Sequence, residues 1–180
     1  MKRNYLLYQL DSYDASDAQE EEMKQRMVRF VRAHPDCFER TLEVGHITGS
    51  AWITDQSGSQ VLLVHHAKLD RWLQPGGHCD GDHDVPGVAL REAWEETGLT
   101  VSLHKKGIFD VDIHVIPARK QEPAHLHYDV RYWLQADPEQ DLVLTSESND
   151  LRWVPLEEVE KLTDEESVLR MVRKTTECTH

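Results

Sequence analysis

Hydrophobic positions change period along this chain, and the changes mark its elements. Met23, Met27, Phe30 and Val31 fall at i, i+4, i+7 and i+8, a single helical stripe. Residues 1–40 read as helical overall, with N-cap choices between Asp14 and Asp17 and an acidic run, Glu20 to Glu22, suited to a helix start. His34-Pro35 ends the pattern, because proline pushes the residue before it out of the α region. The stripe is expected to pack on the core or against a second protomer.

From His46 the period becomes two. Ser50–Thr54 and Val61–His66 are expected to pair antiparallel across the turn Asp55–Ser59. Further on, Ile108 to Ile116 alternates, with Phe109, Val111, Ile113 and Val115 opposing Asp110, Asp112 and His114. A polar loop, 117–124, leads to a second alternating strand. Its apolar face is Leu126, Tyr128, Val130, Tyr132 and Leu134; its other face is His125, His127, Asp129, Arg131 and Trp133. Leu142–Leu144 and Leu151–Val154 read as shorter strands. Pro155–Val159 opens a helix, and Thr163 to Arg173 forms a last one with a capping-box pattern at Thr163–Glu166. These elements predict one α+β domain, a mixed sheet sandwiched by helices.

Between the two strand pairs lies the stretch with most chemistry, from Gly76 to Leu99. A glycine-rich turn at Gly76-Gly77 is followed by a predicted helix over 85–97, capped by Asp84, admitting Pro86 in its first turn and closed by Gly98. Glu92, Glu95 and Glu96 stand at i, i+3 and i+4, so one helix face gathers three carboxylates. Like charges so placed cost a few tenths of a kcal/mol per pair in water. A cation or basic ligand against that face would remove the cost.

Composition narrows the partners. With 20 Lys and Arg against 33 Asp and Glu, the net charge of −13 argues against nucleic acid and against an anionic membrane. Three scattered cysteines offer no disulfide framework or zinc motif. No apolar run is long enough for a signal segment or a membrane span. A reduced, cytoplasmic chain is the expectation.

Gly77, Arg91-Glu92, Glu95-Glu96 and Gly98-Leu99 together resemble the Nudix box, G-x5-E-x7-R-E-U-x-E-E-x-G-U, with U a bulky apolar residue. Ala93 is a small occupant of the middle apolar position, and His83 stands where the family has its first glutamate. The resemblance covers about residues 46–162. It implies the Nudix α/β/α sandwich over 41–180, with residues 1–40 as a helical extension. It also implies a Mg2+-dependent (or Mn2+-dependent) pyrophosphohydrolase cleaving a diphosphate linkage in a nucleoside diphosphate derivative such as a nucleotide sugar or ADP-ribose. By that resemblance Glu95 and Glu96 are the principal metal ligands, and Glu92 is a ligand or the base that activates water. Magnesium suits this set, being a hard ion that takes oxygen ligands. The Gly77 carbonyl can add another ligand, and Arg91 lies i,i+4 from Glu95, where it can hold that carboxylate.

The alternative is a non-catalytic nucleotide-binding module with a degenerate site, for which His83 is the supporting feature. A prenyl-diphosphate isomerase would need Cys79 in the site. For substrate, Arg71, Trp72, His127, Asp129 and Arg131 are candidate contacts, with Arg119 and Lys120 as further cations and Glu122 as a loop base. A homodimer through the N-terminal stripe is the expected assembly.

Overall fold

The computed structural model describes residues 2–119 and 122–179. In chain order it contains α1 (Asn4–Asp11), α2 (Ala18–Ala33), β1 (Gly45–Thr54), β2 (Gln60–His66), β3 (Arg71–Leu73), β4 (Gly76–His78), α3 (Val85–Thr97), β5 (Ser102–Leu103), β6 (Asp110–Ile116), β7 (His125–Gln135), β8 (Ser148–Pro155), a 3-10 helix (Leu156–Lys161) and α4 (Glu166–Thr179).

The spine is a parallel pairing of β1 with β7, in register from Gly45 opposite Leu126 to Thr54 opposite Gln135. At its C-terminal end β1 meets β2 antiparallel, Thr54 opposite Val61. Nearer its start it meets β4 instead, with Gly49 opposite Gly77 and Ser50 opposite Gly76. The other edge of β7 is shared in the same way, by β5 at one end and β6 along the rest. β2 carries β3 on one side and β8 on the other. The sheet is therefore mixed and splayed.

Alternation along β1 and β7 sends side chains into two apolar layers. Ile47, Ala51, Ile53, Tyr128, Val130, Tyr132 and Leu134 meet residues of α1, α2 and α3. Trp52, Trp133, Val61 and Leu63 meet the 3-10 helix and Val168 and Met171 of α4. The result is a sheet between helical layers, as expected from the sequence.

The N-terminal stripe is consumed by this chain's own core. Met27 and Val31 are fully buried, and Phe30 stacks on Tyr128 with ring centroids 3.9 Å apart. It offers no free apolar face to a second protomer, so the argument for a dimer through it lapses. Residues 1–40 form two helices, the second capped by Asp17, whose side chain accepts from the Glu20 N–H.

Other expectations need correction. Leu142–Leu144 joins no ladder; Val143 instead donates its N–H to the Thr97 carbonyl, at the end of α3. The alternation of β6 holds, but its burial is uneven: Val115 is exposed, and Asp110 on the other face is fully buried. Asp110 tolerates burial because Arg131, Arg170 and Lys174 all bond it. The last helix starts at Glu166, since Thr163 accepts from the Glu165 N–H and its chain has not yet turned helical. Gly76-Gly77 is a strand, β4, not a turn.

Candidate active site

Helix α3 spans Val85–Thr97, with the Asp84 side chain accepting from Gly87 N–H and Gly98 left-handed at φ 76°. Its buried residues Val85, Val88, Ala89 and Ala93 fix its rotation against the sheet. The rotation turns Glu92 and Glu96 toward β4 and leaves Glu95 half exposed. Glu96 Oε1 accepts a 2.8 Å hydrogen bond from the Gly76 N–H. Glu92 lies directly over Gly77, where a Cβ would come within 2.5 Å of its carboxyl carbon. At Gly76 a Cβ would strike Ser50, 2.2 Å from its Oγ. Both glycines are thus required by close approach, one by β1 and one by a carboxylate.

This corner holds more negative charge than the described residues neutralise. Burial, then the neighbouring Glu95, push the Glu92 carboxyl up to about 7. Burial also raises Glu96 to about 7; the Gly76 N–H opposes the rise, and the charges of Glu92 and Glu147 add to it. Arg91 is the adjacent cation, yet it approaches only to 3.9 Å from Glu92 and Glu95 and to 3.5 Å from Asp82. A cluster of hard oxygen donors with its charge uncompensated is the donor set a divalent oxygen-seeking cation requires, so these residues fit Mg2+ or Mn2+. Glu147 joins this corner from the chain before β8. Sequence reading missed it, and one exposed acid among 33 carries no signal of its own.

Behind the strands lies a second polar face, on the side of the sheet that α4 covers. Asp129 is 2% exposed and accepts from Thr48 and Ser50 at 2.8 Å each and from Arg131 Nε at 2.8 Å. Arg131 is equally buried and donates further to Asp110 and to the Ser167 carbonyl. Neither is free to meet a substrate: the expected diphosphate contact at Arg131 is instead an internal ion-pair hub. Trp72 is likewise engaged, stacked on His65 with centroids 5.0 Å apart and under the Arg152 guanidinium at 4.9 Å. Arg71 pairs with Glu165. Arg119 is exposed, on a short bridge with Glu122, and Lys120 lies outside the described residues.

His127 belongs to a group of histidines at the end of this polar face. It stands opposite His46 on β1 and opposite His114 on β6. His125 and His78 complete the group, each with its ring centroid 5.0–5.2 Å from those of His46 and His127. Burial, then its histidine neighbours, hold His46 down at about 4 and His127 at about 2. The signal His125-x-His127 was legible; the contribution of His46 was not, because it depends on the long-range β1–β7 register.

His83 is exposed and makes no side-chain hydrogen bond among the described residues. Cys79 is buried, and burial holds its thiol far above the ordinary range, which leaves no reactive thiol for an isomerase.

The fold and this carboxylate corner define the class. The family model of the NUDIX domain matches residues 46–174, and the chain belongs to that family. It is 34% identical over 71 residues to human (Homo sapiens) diphosphoinositol polyphosphate phosphohydrolase 3-alpha, a match covering 38% of each chain. It is 21% identical over 127 residues to dihydroneopterin triphosphate diphosphatase of Haemophilus influenzae, covering 67% of this chain and 80% of that one. Among solved structures, Ap4A hydrolase of C. elegans superposes with a TM-score of 0.58 at 20% identity, over 72% of this chain and 94% of that one. That likeness establishes the fold. Helices α1 and α2 precede the matched region.

Proposed function

We propose that this protein is a Mg2+-dependent hydrolase that cleaves a diphosphate linkage in a nucleoside diphosphate derivative. The observation that carries the reading is the pair Glu92 and Glu96, both largely withdrawn from water against β4 and, among the described residues, without a matching cation. Phosphoryl chemistry asks a protein mainly for charge neutralisation, positioning and an activated water. Glu92, Glu95 and Glu96 would hold the divalent ion, with the Gly77 carbonyl as a further oxygen donor. Bound there, the ion would neutralise phosphate oxygens and lower the pKa of a coordinated water. The chain's own part is to keep these carboxylates in place. The Gly76 N–H anchors Glu96, and the absence of a side chain at Gly77 gives Glu92 its room. Arg91 lies 3.9 Å from both Glu92 and Glu95, the cation nearest to hand for orienting them. Glu92, if it is not a ligand, or Glu147, whose charge acts on Glu92 and Glu96, is the proposed acceptor of the attacking water's proton.

The relatives' names support the bond type. Diphosphoinositol polyphosphate, dihydroneopterin triphosphate and Ap4A share a phosphoanhydride and little else. Arg119, exposed at the loop before β7, is the cation proposed for the substrate's phosphates. The test is turnover of a panel of nucleotide sugars, ADP-ribose, dinucleoside polyphosphates and nucleoside triphosphates with Mg2+ or Mn2+. Turnover that is abolished in Glu96→Gln supports the reading. Tight binding of a panel member with no turnover would replace it with the binding-module reading.

A further inference from the structure

The histidine group at the end of the β1–β7 ladder is a different kind of site from the carboxylate corner. His46, His125 and His127 each present a ring nitrogen, and these nitrogens lie within 4.8 Å of one another. Their rings converge, with centroids 4.8–5.2 Å apart. Histidines packed together usually satisfy each other or the backbone. Here neither nitrogen of His46 nor the Nε2 of His127 has a hydrogen-bond partner among the described residues, although all three atoms are buried. A buried polar atom left unpaired costs about 1–3 kcal/mol, so this group carries a standing penalty that a ligand would remove.

One ring is already oriented. His125 Nδ1 lies 3.0 Å from the Pro123 carbonyl. That contact assigns the proton to Nδ1 and leaves Nε2 with its lone pair, the arrangement found behind metal-bound histidines. His114, facing His127 across β6–β7, has the same relation to a carboxylate, its Nδ1 3.2 Å from Asp112 Oδ2. Three neutral imidazoles form a borderline donor set that suits Zn2+ and not the hard Mg2+.

We propose that His46, His125 and His127 bind one Zn2+ ion, leaving a fourth position for water, His78 or His114. With Zn–N bonds of about 2.05 Å, tetrahedral nitrogens lie about 3.3 Å apart, so the rings need close by no more than about 1.5 Å. Ring rotation on fixed strands supplies that. The site is independent of the hydrolase reading, since none of its ligands comes from α3.

Metal-stripped full-length protein, held in excess Mg2+ to occupy the carboxylates, should take up one equivalent of Zn2+ by calorimetry and gain thermal stability. Co2+ should give the visible d–d bands of a tetrahedral nitrogen site. His125→Ala, at a half-buried position, and His127→Asn should each weaken Zn2+ by at least about 100-fold and abolish those bands, because loss of even an outer-shell partner costs 10–100-fold. Glu96→Gln should leave them unchanged. Should His127→Asn fail to fold, His125→Ala carries the test alone. The proposal is overturned by absence of Zn2+ uptake and of any Tm rise in the wild type. It is equally overturned by Zn2+ binding that survives His125→Ala and disappears in Glu96→Gln, which would assign the ion to the carboxylates.

Discussion

Gly77 and Glu92 compete for one volume: a Cβ on the first would sit 2.5 Å from the carboxyl carbon of the second. The glycine of the box is thus defined by what the helix glutamate needs, and it performs that role in the extended conformation of a strand. Gly77→Ala should displace Glu92 and lower kcat by about 100-fold, the usual consequence of a misplacement near 1 Å. The fold should persist, with Tm reduced by a few degrees. Steady-state kinetics beside thermal melts would check this, and an unchanged kcat would refute the crowding argument.

Glu96 is largely buried and, among the described residues, has the Gly76 N–H as its one donor and no cation. Glu96→Gln keeps the shape and removes the charge. Its kcat should fall by about 10²–10³-fold, in the range seen when one electrostatic stabiliser is removed. Mg2+ should raise the Tm of the wild type, by mass action on the folded state, and raise that of Glu96→Gln far less. Melting curves with and without the ion, followed by chelation, would measure both.

His83, which the spacing of the box sets at the expected glutamate position, makes no side-chain hydrogen bond among the described residues, whereas the neighbouring Asp82 carboxylate reaches Arg91 at 3.5 Å. Position 82 therefore supplies the acidic partner. His83→Ala should change kcat/KM by less than about threefold, while Asp82→Ala, which frees a half-exposed arginine, should cost about five- to tenfold. The reverse order of effects would restore importance to His83.

Glu20 ties α2 to the rest of the molecule. It is fully buried, and its carboxylate accepts from Tyr13, from the Ser16 N–H and hydroxyl at 2.7 Å each, and from Lys174 at 2.9 Å. Burial alone would raise its pKa, but Lys174 and the hydroxyl and amide donors outweigh burial and hold it well below 4.5. A carboxyl depressed in the folded state stabilises the protein above its unfolded pKa. That stability is lost as pH falls from the unfolded value toward the folded one. Urea unfolding should show falling stability below about pH 5. Glu20→Gln should be less stable at pH 7 by about 3 kcal/mol, with Lys174 keeping only Asp110 as an acidic partner, and should show a flatter acid slope.

Local signals were read well where the chain speaks for itself. Asp84, Pro86 and Gly98 bounded α3 at the residues observed, and the period of β7 sorted its two faces. Readings failed where a distant partner decides. Alternation put Asp110 on one strand face with Asp112 and His114, but nothing local announced that Arg131, Arg170 and Lys174 converge on it. Val143 looked like a strand residue and proved to be cover for the end of α3. His46 gave no metal signal because its companions lie some eighty positions away, brought alongside only by the β1–β7 ladder.

That ladder has a kinetic consequence. Parallel strands so far apart in sequence impose a large loop closure, and such pairings form slowly. β1 receives β4 on one edge and β7 on the other, so a nascent chain ending after Leu99 would carry every residue of the box without the strand that completes the histidine group. During synthesis, the carboxylate helix is therefore made long before the strand that carries His125 and His127, and the histidine group cannot form until that strand has joined β1.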